Sequence, residues 1–182
     1  MGTSSTNPVT LGRTIRAAAV AAAALALPIS ADAGEREMSL LESYVGEWDG
    51  TAKLLGGDEP EDFTCRMTIT EARTPKIYYV GRCTLVGLNL TVSGAIGFND
   101  NTRRYEGVMS SNTAFSGIAL GRIRGSSIVF DFEERQPGDQ DDEVAIDAQI
   151  TLKGETVTVD FSIAFSDSGE TLTTSVPFGR RG

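Results

Sequence analysis

The groups that most often carry out chemistry are missing from this chain or spaced to no catalytic purpose. None of the 182 residues is histidine, which excludes imidazole acid–base catalysis, serine–histidine triads, histidine-bound zinc and histidine-ligated haem. Serine is frequent, yet neither a G-x-S-x-G elbow nor an S-x-x-K pair occurs, so no hydroxyl comes with a base to activate it. Two acidic tracts, Asp58-Glu59-Pro60-Glu61-Asp62 and Asp139-Gln140-Asp141-Asp142-Glu143, are rich in oxygen ligands but lack the ligand spacing and central glycine of a calcium loop. They read as solvated hairpin tips, and no metal site is expected. The carboxylates inside alternating segments, such as Asp131, Asp147 and Asp160, take the polar side and so cannot face one another across a cleft as a glycosidase pair must. No catalytic residue and no cofactor is expected. The one inward polar group that could serve an enzyme is Arg122, in one of two registers left open for its hairpin.

Cys65 and Cys83 are the remaining reactive pair. They lie in two alternating runs, Phe63 to Ile69 and Ile77 to Leu85, separated by the turn Ala72-Arg73-Thr74-Pro75-Lys76. Folding a hairpin about Thr74 sets Cys65 opposite Cys83, Met67 opposite Gly81 and Ile69 opposite Tyr79. Both thiols then share one apolar face with their Cα atoms about 4.5 to 5.5 Å apart, a separation that a disulfide spans. The alternative is two buried free thiols; a redox-active pair would want C-x-x-C spacing or an electropositive setting, and neither is present.

The first 33 residues bear on that choice. Arg13 and Arg16 precede an apolar run from Ala17 to Leu27, then Pro28, then Ala31-Asp32-Ala33 before Gly34. That order is a secretory signal with an A-x-A cleavage site after Ala33. The run is short of the roughly 20 residues a membrane span needs, and no later stretch is long or apolar enough, so the chain is not expected to span a membrane. The reading is a signal peptide over 1–33 and a single domain over 34–182, periplasmic or secreted, where a disulfide persists. The net charge of −9 removes the basic footprint of a nucleic-acid partner.

From Gly46 onward the chain alternates apolar and polar residues in short runs broken by turns. Only Glu35 to Val45 has a helical pattern, through Met38, Leu40, Leu41, Tyr44 and Val45. A turn at Gly154-Glu155 pairs Leu152 with Val157, Ala148 with Phe161 and Val144 with Phe165. A turn at Asp167 to Glu170 sets Phe165 opposite Leu172 and Ile163 opposite Thr174, and a turn at Asn99 to Thr102 sets Ile96 opposite Tyr105. In the hairpin around Gly125-Ser126, one register turns Arg122 inward and the other turns Gly121 and Ile123 inward. Sequential hairpins with one apolar face, and no helices to cover it, are best satisfied by closing the sheet on itself. The expected fold is all-β: an antiparallel up-and-down barrel of about 8–10 strands with a short N-terminal helix. A β-sandwich is the alternative.

The stretch Tyr44-Val45-Gly46-Glu47-Trp48-Asp49-Gly50, a helix followed by Gly-x-Trp opening the first strand, resembles the calycin group: lipocalins, fatty-acid-binding proteins and nitrobindin-like barrels. The resemblance implies that Trp48 closes one end of the barrel and that an arginine near the last strand packs across it. Arg180 continues the inward parity of Leu172, Thr174, Val176 and Phe178 and takes that role, with Arg181 as the substitute; such stacking contributes about 0.5 to 2 kcal/mol. A second stretch, Gly97-Phe98-Asn99-Asp100-Asn101-Thr102-Arg103-Arg104-Tyr105-Glu106-Gly107, is similar to a hairpin of a bacterial branch of lipocalin-like secreted proteins. Those relatives often carry tryptophan where this chain has Met109. The nitrobindin-like branch binds haem through histidine, which this chain cannot do; Tyr79, Tyr105 and Met109 are the side chains left for such ligation.

The resemblance and the alternation together point to the barrel interior. The expected ligand-binding residues are Trp48, Met67, Tyr79, Tyr105, Met109, Phe130, Phe132 and Phe161, taking a small hydrophobic molecule. A packed interior gives the second reading, an envelope structural or interaction protein acting through its acidic exterior. An isomerase or cyclase working inside the cup through Arg122 is the third.

Overall fold

The computed structural model describes residues 1–2, 33–73, 75–85, 88–112, 116–134 and 144–182. The body of the signal-like segment, the turn residue Thr74 and the Asp139 to Glu143 tract lie outside them. A helix, α1 (Ala33–Glu42), leads into β1 (Gly46–Leu54), β2 (Glu61–Glu71), β3 (Lys76–Leu85), β4 (Leu88–Asn99) and β5 (Arg104–Ser111). There follow β6 (Ser116–Arg124), β7 (Ser127–Glu134), β8 (Val144–Lys153), β9 (Thr156–Phe165) and β10 (Thr171–Arg180). Every strand pairs antiparallel with its sequence neighbours, and β1 pairs with β10, so ten strands close into one barrel. Closure removes the two edges that a sandwich would leave, and the sandwich alternative falls.

The helix starts and stops earlier than its periodicity suggests. Past Glu42 the chain tightens, with Tyr44 N–H donating to Leu41 O at 3.0 Å and Val45 N–H to Glu42 O at 3.0 Å. Such three-residue spacing is how a helix end satisfies its last carbonyls. It frees Tyr44 and Val45 to turn the chain into β1.

The hairpin about Thr74 has the expected register: Cys65 pairs with Cys83, Met67 with Gly81 and Ile69 with Tyr79. Cys65 and Cys83 form a disulfide across Cα atoms 4.0 Å apart. The β8–β9 register is also as expected, from Val144 with Phe165 to Leu152 with Val157.

Two other registers differ from expectation by two residues each. Leu172 meets Ile163 and Thr174 meets Phe161, because the turn closes over Ser166 to Gly169, with Gly169 at φ 71° and Phe165 N–H donating to Glu170 O at 2.9 Å. Phe98, rather than Ile96, meets Tyr105, because Arg103 takes the left-handed position at φ 52° and the loop becomes Asp100 to Arg103. Asn99 Oδ1 accepts from the Asn101 and Thr102 amides at 3.0 and 3.4 Å, which holds that turn in place of glycine. A slip of two preserves which face each side chain takes, so both hairpins keep their inward sets while their cross-strand partners change.

The β6–β7 ambiguity resolves with Gly121 inward, opposite Phe130. A Cβ at residue 121 would overlap the Phe130 ring, so glycine at this position lets the aromatic ring lie across the strand. Arg122 points outward and pairs with Asp131 at 3.4 Å. This corrects the register that put Arg122 in the interior, and with it the enzyme reading loses its inward polar group. Ile123 shares Gly121's parity but lies at the rim, 52% exposed.

At the closing seam, besides the ladder from Trp48–Arg180 to Gly50–Phe178, the bridge Leu55–Thr173 joins β10 to the residue just past β1. Thr173 and Arg181 donate their amides to Leu55 O and Glu47 O, so by alternation the odd positions of β10 face β1. Pro177 falls in that series and has no N–H to give.

Candidate functional site: an apolar cavity above an aromatic plug

One end of the barrel is plugged by α1 and its neighbours. Trp48, 1% exposed, donates its indole N–H to Tyr44 O at 3.0 Å. Arg180 lies over the Trp48 ring, 4.6 Å from its centroid, and donates to Ser43 O at 2.7 Å and Val45 O at 2.8 Å. Those carbonyls lie just past the C-terminus of α1, where a cation also meets the negative end of the helix dipole. Tyr105 donates to Glu37 O within α1 at 3.2 Å and packs edge-on against Phe98 and Phe130. Burial, followed by the nearby Glu37 carboxylate and Tyr44, pushes the Tyr105 phenol up to about 12.

The plug continues up one wall. On β6, Gly117, Ala119 and Gly121 face inward, and Phe132 and Phe130 pair with Ala119 and Gly121 from β7. Small residues beneath large rings fill that side.

The opposite wall is not filled. A cavity of about 140 Å³ is lined by inward residues of β2, β3, β4, β8, β9 and β10, with Leu54 and Met109. No residue of β6 or β7 contributes. Its deep part is bounded by Ile69, Ile77, Ile96, Leu152, Val157 and Phe178, all buried. Toward the end away from α1, the lining residues Leu85, Leu90, Phe161 and Thr174 are part-exposed, so among the described residues the interior opens progressively at that end. Among the described residues the lining contains no charged side chain. Its polar side-chain groups are the Tyr79 phenol and the Thr174 hydroxyl. Tyr79 lies across Gly94, its pair on β4, with its hydroxyl 3.5 Å from Val108 O; burial raises its pKa well above the usual phenol value. Thr174 Oγ1 is buried and has no hydrogen-bond partner among the described residues.

Of the eight residues expected to contact a ligand, Met67, Tyr79, Met109 and Phe161 line the cavity. Trp48, Tyr105, Phe130 and Phe132 do not; they belong to the plug and the filled wall. The disulfide Cys65–Cys83 is part of the cavity wall. Sequence reasoning placed Thr174 on the inward face but missed it as a feature of the site. Its signal was a lone polar residue in the inward series Leu172, Thr174, Val176 and Phe178.

A closed ten-stranded meander with a helix across one end is a lipocalin-like barrel fold. Solved structures bear this out at the level of fold. Rv2717c from M. tuberculosis superposes with a TM-score of 0.59 at 14% identity, covering 80% of this chain and 97% of the other. The S-type phycobiliprotein lyase CPES from Guillardia theta superposes with a TM-score of 0.53 at 12% identity, covering 81% and 92%. No protein-family model and no curated protein matches the chain.

Proposed function

We propose that this protein is exported and binds a small hydrophobic molecule inside its barrel. The observation that carries the reading is the uncharged, almost wholly apolar cavity of about 140 Å³, left open on one wall while the other is filled by aromatic rings. Packed interiors rarely leave such a void, because unfilled volume forfeits dispersion contacts. An engineered apolar cavity of about 150 Å³ in another protein stays dry and binds benzene, which sets the scale of ligand this one accepts without rearrangement. The phycobiliprotein lyase among the structural neighbours shows a barrel of this fold in an active protein, at an identity that carries no residue roles. Export is supported by the secretory pattern of residues 1–33 and by the disulfide. No helix among the described residues is long and apolar enough to cross a membrane.

The test is a native mass spectrum of the protein purified from its own host, followed by titration with toluene. A bound small molecule, or saturable toluene binding that Ala148→Leu abolishes, is expected. Ala148 lines the cavity, and the added methyl groups enter vacant space, so the melting temperature should hold while binding disappears. An absence of both native ligand and toluene binding would leave the packed-barrel reading standing. N-terminal sequencing of the exported protein should begin at Gly34.

A further inference from the structure

We propose that the ligand of this cavity is a neutral molecule with one hydrogen-bonding group, and that Thr174 Oγ1 is the atom that receives it. The inference rests on the binding function proposed above and goes on to name the ligand's chemistry. Thr174 stands on β10 between Leu172 and Val176, with Phe161 as its partner on β9. Its hydroxyl oxygen is shielded from solvent, faces a lining that is otherwise almost entirely apolar, and has no hydrogen-bond partner among the described residues. A buried hydroxyl left unpaired costs free energy that valine, of nearly the same shape, would not. Such a group calls for an explanation, and a ligand alcohol, phenol or ketone supplies it. Tyr79 is less suited to the role, because its hydroxyl already sits 3.5 Å from the Val108 carbonyl.

The ligand's charge follows from what surrounds this atom. Among the described residues the lining has no lysine or arginine to pair with an anion. The exposed residues Asp58, Glu59, Asp167 and Glu170 stand in the turns at the open end. A carboxylate therefore meets repulsion on approach and finds no counter-charge within. A neutral polar molecule meets neither obstacle.

The experiment uses three matched probes, toluene, p-cresol and p-toluate, titrated into the full mature chain and its Thr174→Val variant by calorimetry. In the wild type, p-cresol should bind at least as tightly as toluene, and p-toluate should not bind measurably. In Thr174→Val the preference for p-cresol over toluene should fall about tenfold, with toluene affinity unchanged, and the ligand-free variant should melt higher. Thr174→Ser, which keeps the hydroxyl, should retain the wild-type preference; Thr174→Ala replaces the valine variant should that one fail to fold. An unchanged preference in Thr174→Val, with toluene still bound, would overturn the role of Thr174 while leaving the binding function intact. Tight p-toluate binding would overturn the neutrality of the ligand. Failure of the wild type to bind any of the three would overturn both this inference and the function beneath it.

Discussion

At the helix end the Trp48 indole, the Tyr105 hydroxyl and the Arg180 guanidinium each donate to a backbone carbonyl in or just past α1. At the other end Thr174 Oγ1 is buried with no partner among the described residues, and the space beside it is open. Both regions are built from the same alternating strands. In the plug, rings meet rings and these three donors find acceptors, although Glu37 Oε2 on α1 is, like Thr174 Oγ1, buried without a partner among the described residues. Around the cavity, packed volume has been given up, and the wall is held instead by the covalent Cys65–Cys83 link and by Tyr79 lying across Gly94. Stability and site are thus segregated along the barrel axis, which lets the cavity change occupant without loosening the closure beneath it.

The contrast can be broken most severely at Trp48. Trp48→Ala removes the largest buried side chain of the plug and the platform under Arg180, and should cost about 3 to 5 kcal/mol, read as a lower midpoint in urea. Toluene affinity of the fraction still folded should hardly change, since Trp48 does not line the cavity. A large loss of affinity with little loss of stability would invert the division of labour described here.

Reduction of the disulfide, or the double substitution Cys65→Ala with Cys83→Ala, probes the cavity wall. The bond closes a separation of 18 residues, and its loss should cost about 2 to 4 kcal/mol. Unlike Trp48→Ala, this change should also weaken toluene binding, because both sulfurs face the cavity. Equal binding with and without reductant would show that the wall needs no staple.

The smallest effect expected is one of pH. Tyr105 has its folded pKa raised to about 12, and Tyr79 shifts in the same direction. Their contribution is fully present below the ordinary tyrosine pKa of about 10. It falls as the pH rises from there, because the unfolded chain ionises first and is favoured. Denaturation midpoints measured from pH 9 to 12 should therefore decline, and Tyr105→Phe should make the decline shallower. A slope untouched by Tyr105→Phe would remove that phenol from the plug's account.

Much of this architecture was legible in the residues. Alternation assigned faces, the Cys65–Cys83 and Val144–Phe165 registers followed from matching apolar residues across a turn, and the Gly-x-Trp stretch with Arg180 pointed to the closed end. Hairpins whose turns depend on one left-handed residue were less legible. Arg103 and Gly169 decided their loops, and a two-residue slip leaves the pattern of faces unchanged, so the apolar match could not detect it. The register around Arg122 was settled by shape, since the Phe130 ring lies where a Cβ at residue 121 would stand.

The sequence by itself determined that a meander of about 8–10 strands would have one apolar face, and it favoured closure over a sandwich because an edge-bearing sheet with no covering helices leaves both backbone groups and apolar surface unsatisfied; the structure decided on ten strands and a closed barrel. Tertiary structure alone decided which of those inward side chains would meet each other and which would border a void. Alternation fixes the direction of a side chain, whereas filling depends on what reaches it from across the barrel. Phe130 and Phe132 overlie glycine and alanine on one wall, while Phe161 and Thr174 on the other face open volume.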